Sequence, residues 1–109
     1  MSAGPNASEI AVSQSRCFEK ALDKLPESQL ARVEDEIDKI IADPEIGELK
    51  KGDLRFLRVH KFTLNSQLVL LGYSWQSMRV ALYLLTIGPH ENFYREQKQH
   101  RKADLKLIG

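Results

Sequence analysis

Cysteine is nearly absent from this 109-residue chain, and that scarcity removes several classes of protein at once. Cys17 alone cannot form an internal disulfide, and no spacing of Cys and His suits a structural metal site. No glycine-rich loop is present to cradle a phosphate. No apolar run approaches the roughly 18 residues that a membrane span needs. The opening "MSAGPNAS" has neither a basic region nor an apolar core, so residues 1–8 read as a short flexible leader rather than a secretory signal. Nothing repeats and nothing is low in complexity. These absences make a reducing cytoplasm the expected compartment, with Cys17 a buried thiol at an apolar helical position. They call for no cofactor and no metal.

What remains is an ordinary globular composition, 42% apolar and 28% charged, enough for one core and one domain over residues 9–109. The net charge of +1 hides a division. Residues 1–49 carry five Lys+Arg against eleven Asp+Glu, a balance of −6, and residues 50–109 carry eleven against four, a balance of +7. Two amphipathic helices with charged outer faces account for the first figure. The second points to a half that faces a polyanion.

The acidic half is patterned as helices after a short β-like opening at Glu9–Ser15, where Ser13 or Ser15 offers a cap. Phe18, Ala21, Leu22 and Leu25 recur at helical spacing until Pro26, which suits the first turn of a second helix. There Leu30, Val33, Ile37, Ile40 and Ile41 mark one face, with Glu34, Asp35, Glu36, Asp38 and Lys39 on the rest, until Asp43-Pro44. The basic half changes period. After the turn "KKGDL", three antiparallel strands are expected near residues 54–64, 67–75 and 79–87, joined at Asn65-Ser66 and Gln76-Ser77. The last two are apolar on both faces and should be central. On the first, Arg58 and His60 project from one face, Val59 and Lys61 from the other. Beyond Gly88-Pro89 the chain turns helical and basic, with Arg95, Lys98, Arg101, Lys102 and Lys106. The element order is β-α-α-β-β-β-α, an α+β fold.

The segment "IGPHENFYR" gathers His90, Glu91, Asn92, Tyr94 and Arg95 directly behind the strand "VALYLLT". This segment, the strand pair "LRVHKFTLNSQLVLLGY" and the element order resemble the RelE/ParE toxin superfamily of bacterial type II toxin–antitoxin modules, over roughly residues 9–104. The resemblance implies a curved antiparallel sheet with an N-terminal helical hairpin on one face and a basic cleft on the other. It implies a toxin that cleaves mRNA on the ribosome, bound by a cognate antitoxin in a toxin–antitoxin hetero-oligomer. Some relatives poison DNA gyrase on the same fold, and a third reading keeps only antitoxin binding.

A metal-independent ribonuclease of this type uses the RNA 2′-hydroxyl as nucleophile and needs a base, an acid and cations around the phosphate. His60 and His90 are the side chains suited to exchange protons near neutrality. The expected catalytic set is His90, Tyr94, His60 and Arg58, converging at adjoining strand ends. Lys51, Arg55, Lys61, Arg95 and Lys98 are the expected phosphate ligands. Where some relatives carry an arginine at the start of the next strand this chain has Gln67, which removes one phosphate contact. Glu91 and Asn92 read as capping groups for the last helix, and Trp75 as a core or interface residue.

Overall fold

The computed structural model describes residues 9–109, so the leader expected over residues 1–8 lies outside the described residues. The elements are β1 (Ala11–Gln14), α1 (Arg16–Asp23), α2 (Glu27–Ala42), β2 (Glu48–Leu49), β3 (Arg58–Leu64), β4 (Gln67–Gln76), β5 (Ala81–Pro89), α3 (His90–Gln99) and α4 (Arg101–Ile108). One five-stranded sheet has the order β1-β5-β4-β3-β2. It is antiparallel except where β1 runs parallel to β5. The α+β class and the helical hairpin on one face of the sheet are as the sequence led us to expect.

Local chemistry explains the boundaries. Of the two serines that offered a cap, Ser15 is used. Its Oγ accepts from the Phe18 amide at 3.0 Å and donates to the Leu85 carbonyl at 2.6 Å, so α1 is fixed to β5 as it begins. Asn65 and Ser66 have φ of 51° and 66°, the left-handed pair that matches a two-residue hairpin turn to the twist of its strands. The second hairpin closes later than Gln76-Ser77: Ser77–Arg79 form one 3-10 turn, and Val80 follows at φ 50°. Residues 54–57 are not strand either. Gly52–Leu54 form another 3-10 turn, and the two-residue β2 precedes it at the sheet edge.

Two cores sandwich the sheet. Leu71, Tyr73, Leu82 and Leu84 meet Phe18, Val33 and Ile40 of the hairpin, with half-buried Trp75 packed against them. Leu70, Leu85 and Val59 meet Phe93 and Ile108 on the opposite face. The two central strands are thus buried on both sides, as their continuous apolar runs require. The face opposite the hairpin carries α3 and α4, which cover that row of apolar side chains. The single expected C-terminal helix is two, broken at His100. Cys17 is half-buried rather than buried. In α2 the residues turned to the sheet are Val33, Glu36 and Ile40, while Leu30 and Ile37 are only partly covered.

α4 is tied to α3 by a buried polar pair. Gln97 Nε2 donates to Asp104 Oδ2, and Gln97 Oε1 is left without a partner. Burial pushes the Asp104 carboxyl up from its ordinary 3.8 to about 6, against the smaller opposing pulls of Gln97 and His100. A raised folded pKa gives stability that is complete below 3.8 and lost as pH rises through about 6, so at pH 7 this charge is a burden. Asp104→Asn removes it and supplies an amide that can donate to Gln97 Oε1. We expect a gain of about 1–2 kcal/mol at pH 7 that fades by pH 4. Urea unfolding at the two pH values checks this, and an equal effect at both would contradict the assignment.

Candidate active site

The approach to the site is set by a glycine. A Cβ on Gly72 would lie 2.9 Å from Leu57 Cδ1 and 2.9 Å from Phe93 Cζ, so only glycine lets the Phe93 ring settle on β4. Phe93 pins α3 to the sheet, and Pro89, in extended conformation, starts the helix so that His90 is its first residue. Tyr94 follows one turn later and stands edge-on to both neighbours, its ring centroid 5.1 Å from Phe93 and 6.4 Å from His90. His90 is exposed and Tyr94 half-buried. Beyond Gly88 there is open space.

One lysine reaches this rim from the other end of the sheet, and a second leaves β3 on the same face. Lys50 Nζ lies 5.2 Å from the Tyr94 ring centroid and donates to Glu48 Oε1 at 2.8 Å. The Glu48 hydrogen bond, with a smaller contribution from Tyr94, raises the Lys50 pKa, so the ammonium is retained. Lys61 has the same strand parity as Val59, which packs under α3, so its exposed side chain leaves β3 on this face. It also helps Lys50 to hold the Glu48 carboxyl below its ordinary value. Lys98 stands one turn beyond Tyr94, so that His90, Tyr94 and Lys98 form a single line along α3.

Arg58 and His60 are not in this group. They share parity with Phe62 and Leu64, which are buried beneath the hairpin, so both project from the opposite face of the sheet. His60 Nε2 donates to Glu36 Oε1 at 2.6 Å, and the two side chains are 12% and 2% exposed. Burial raises the Glu36 carboxyl, but hydrogen bonds from His60, Arg32 and Lys39 outweigh it and hold the group at about 2. Glu36 is therefore ionised throughout the neutral range and keeps His60 engaged. Arg58 Nη1 donates to the Gly47 carbonyl at 2.9 Å and the Glu45 carbonyl at 3.3 Å, bracing the loop before β2. The convergence of all four expected residues on one rim is not what the fold builds.

The remaining expected ligands are dispersed. Lys51 is exposed ahead of the 3-10 turn, and Arg55 lies beside Arg101 in a small cleft under Phe56. Arg95 donates to Asn92 Oδ1 at 3.1 Å on the solvated side of α3. Asn92 is thus occupied along the helix, and α3 starts without the side-chain cap expected of Glu91 or Asn92. Gln67 is exposed at the β3–β4 turn. Sequence reasoning missed Lys50 and Glu48, since a turn lysine has no periodicity to announce its face. Among the described residues no three His, Cys, Asp or Glu side chains gather closely enough to hold a metal ion. No helix among them is long and apolar enough to cross a membrane.

A family model described as ParE-like toxin of type II bacterial toxin-antitoxin system matches residues 12–98. No curated protein sequence matches the chain. Among solved structures, a doubly substituted E. coli RelE toxin in the free state is similar with a TM-score of 0.64 at 17% identity, over 84% of this chain and 96% of that one. The toxin in the intact E. coli RelBE toxin–antitoxin complex gives 0.61 at 17% identity, over 75% and 98%. The substituted E. coli RelE bound to a RelB antitoxin peptide gives 0.60 at 15%, over 84% and 94%. At such identities the likeness is one of fold.

Proposed function

The chain belongs to the ParE-like toxins of type II bacterial toxin–antitoxin systems, and from that premise we propose that it is an endoribonuclease that cleaves mRNA on the ribosome, in the cytoplasm, and is restrained by an antitoxin. The observation that carries the reading is the placement of His90 and Tyr94 one helical turn apart at an open rim, with Lys50 beside Tyr94 and Lys61 exposed on the same face of the sheet. Proton-transfer groups next to fixed cations are what internal attack on a phosphodiester needs. Neutral His90 takes the 2′-hydroxyl proton, and the 2′-oxygen bonds to phosphorus. The bond from phosphorus to the 5′-oxygen breaks as Tyr94 supplies that oxygen with a proton, and Lys50 stabilises the phenolate left behind. Lys61 and Lys98 neutralise the phosphate. Arg58 and His60 act as supports for the hairpin rather than as reacting groups. The antitoxin partner is supported by the fold shared with E. coli RelE, which is solved bound to RelB.

Purified ribosomes programmed with mRNA test the reading, since free RNA lacks the enforced attacking geometry. The expected fragments end in a 2′,3′-cyclic phosphate or its hydrolysis product and begin with a 5′-hydroxyl. A 2′-deoxy nucleotide at the cut position abolishes cleavage. The alternative, a gyrase poison, draws on the fact that a single histidine stands at the rim. Intact ribosome-bound mRNA together with blocked gyrase supercoiling would replace our assignment by that one.

A further inference from the structure

The cationic rim of the site contains an anion of its own. Glu48 lies on the two-residue β2, where it pairs with Val59 of β3. Directly opposed residues of an antiparallel pair share a face, so its carboxylate stands on the side that Val59 presents to α3. Lys61, two residues along β3, is its diagonal neighbour on that face. Glu48 Oε1 accepts from Lys50 Nζ at 2.8 Å, and the same ammonium lies 5.2 Å from the Tyr94 ring centroid. Lys50 first, and Lys61 more weakly, holds the carboxyl below its ordinary value, so a negative charge stands there at neutral pH. The Glu48 side chain is 67% exposed and that of Lys50 23%. An ion pair so open to water adds little to the stability of the fold. Its effect falls on what Lys50 can bind.

A carboxylate and a phosphate oxygen make the same charge-assisted bond to an ammonium, at about 2.7–2.9 Å. A phosphodiester drawn to Lys50 and Lys61 therefore meets a carboxylate already in its place, and two anions side by side repel. We propose that Glu48 is an internal stand-in for the RNA phosphate, which screens the site in the free protein and swings away when substrate enters. The inference deepens the nuclease reading and rests on it. Glu48 can leave without cost to the core, since it is exposed on an edge strand and packs in neither hydrophobic cluster. Once released, the Lys50 ammonium is free to turn to the Tyr94 hydroxyl, and Lys61 to the incoming phosphate. Loosely held RNA does not offset the loss of the Lys50 pair, whereas RNA held at high effective concentration on the ribosome does. The carboxylate thus selects for presented message over stray RNA.

Glu48→Gln keeps the shape of the side chain and removes its charge. A fluorescent 2′-O-methyl oligouridine, which lacks the attacking hydroxyl, reads binding apart from cleavage. We expect anisotropy to show about three- to tenfold tighter binding by the variant at low salt, a gain that screening removes towards about 1 M. In the Lys50→Gln background the same change should give roughly half of that gain or less, because the cation it frees is gone. Glu19→Gln, the same loss of charge on α1, should leave binding unchanged. On programmed ribosomes kcat of Glu48→Gln should stay within about threefold of wild type, since the carboxylate has left before the reaction begins. Equal or weaker binding by Glu48→Gln overturns the inference, and so does a gain that survives in full without Lys50. A kcat that falls by about tenfold or more overturns it as well, by making Glu48 an aid to the reaction. Each of these outcomes leaves the nuclease reading standing, whereas ribosome-bound mRNA left intact by the wild-type protein removes both.

Discussion

His90→Ala lowers ribosome-dependent mRNA cleavage by about 10²–10⁴-fold, the usual contribution of a positioned proton-transfer group. His90 is exposed at the first position of α3, and its side chain makes no hydrogen bond among the described residues. The substitution should therefore leave folding and antitoxin binding unchanged, and thermal melting checks the first of these. The paired control is His60→Ala. His60 is held by Glu36 on the hairpin side, so its loss should lower the melting temperature while cleavage per folded molecule stays within a few-fold. Removing the imidazole leaves Glu36 buried with one donor fewer, and that is a stability effect. Should His90→Ala retain more than a tenth of the cleavage rate, or His60→Ala lose as much as His90→Ala, the site has been assigned to the wrong face.

The contrast between the two histidines also shows what could be read from the chain alone. Periodicity gave the hairpin, the two central strands and the alternation of Arg58 and His60 against Val59 and Lys61, because burial imposes those patterns one residue at a time. The choice between the faces of β3 was beyond it. That choice is made by Phe62 and Leu64 packing under α2 and by Val59 packing under α3, contacts between elements distant in sequence. The Gly-Pro break correctly placed His90 and Tyr94 at the end of a strand, since proline fixes the backbone there and glycine leaves the space open. Lys50 reaches Tyr94 only because the two-residue β2 returns the chain to the edge of β3, and so short a strand has no pattern to detect. The charged pattern of α2 implies a solvated Glu36, as a carboxylate on a helix usually is, yet it is buried. The three donors that make its burial tolerable come from Arg32 and Lys39 on its own helix and His60 across the interface.

The rotation of α2 about its axis can itself be measured. Ile40 is fully buried against Phe18, Leu71 and Leu84, and truncation leaves a cavity that a sheet pinned on both faces cannot close. Ile40→Ala should lower unfolding free energy by about 2–5 kcal/mol, whereas Ile37→Ala, at the partly covered rim of the same interface, should lose roughly half of that or less. Chemical denaturation with both variants gives the ratio, and an unchanged m-value shows that the comparison is between native states of equal compactness. The order of the two losses has a functional consequence. Turning α2 far enough to bury Ile37 in place of Ile40 would carry Glu36 towards solvent, release His60 and leave the hairpin side of β3 with an unengaged histidine beside Arg58. A loss at Ile37 equal to or larger than that at Ile40 would therefore return the proton-transfer chemistry to the face from which the packing of Phe62 and Leu64 now excludes it.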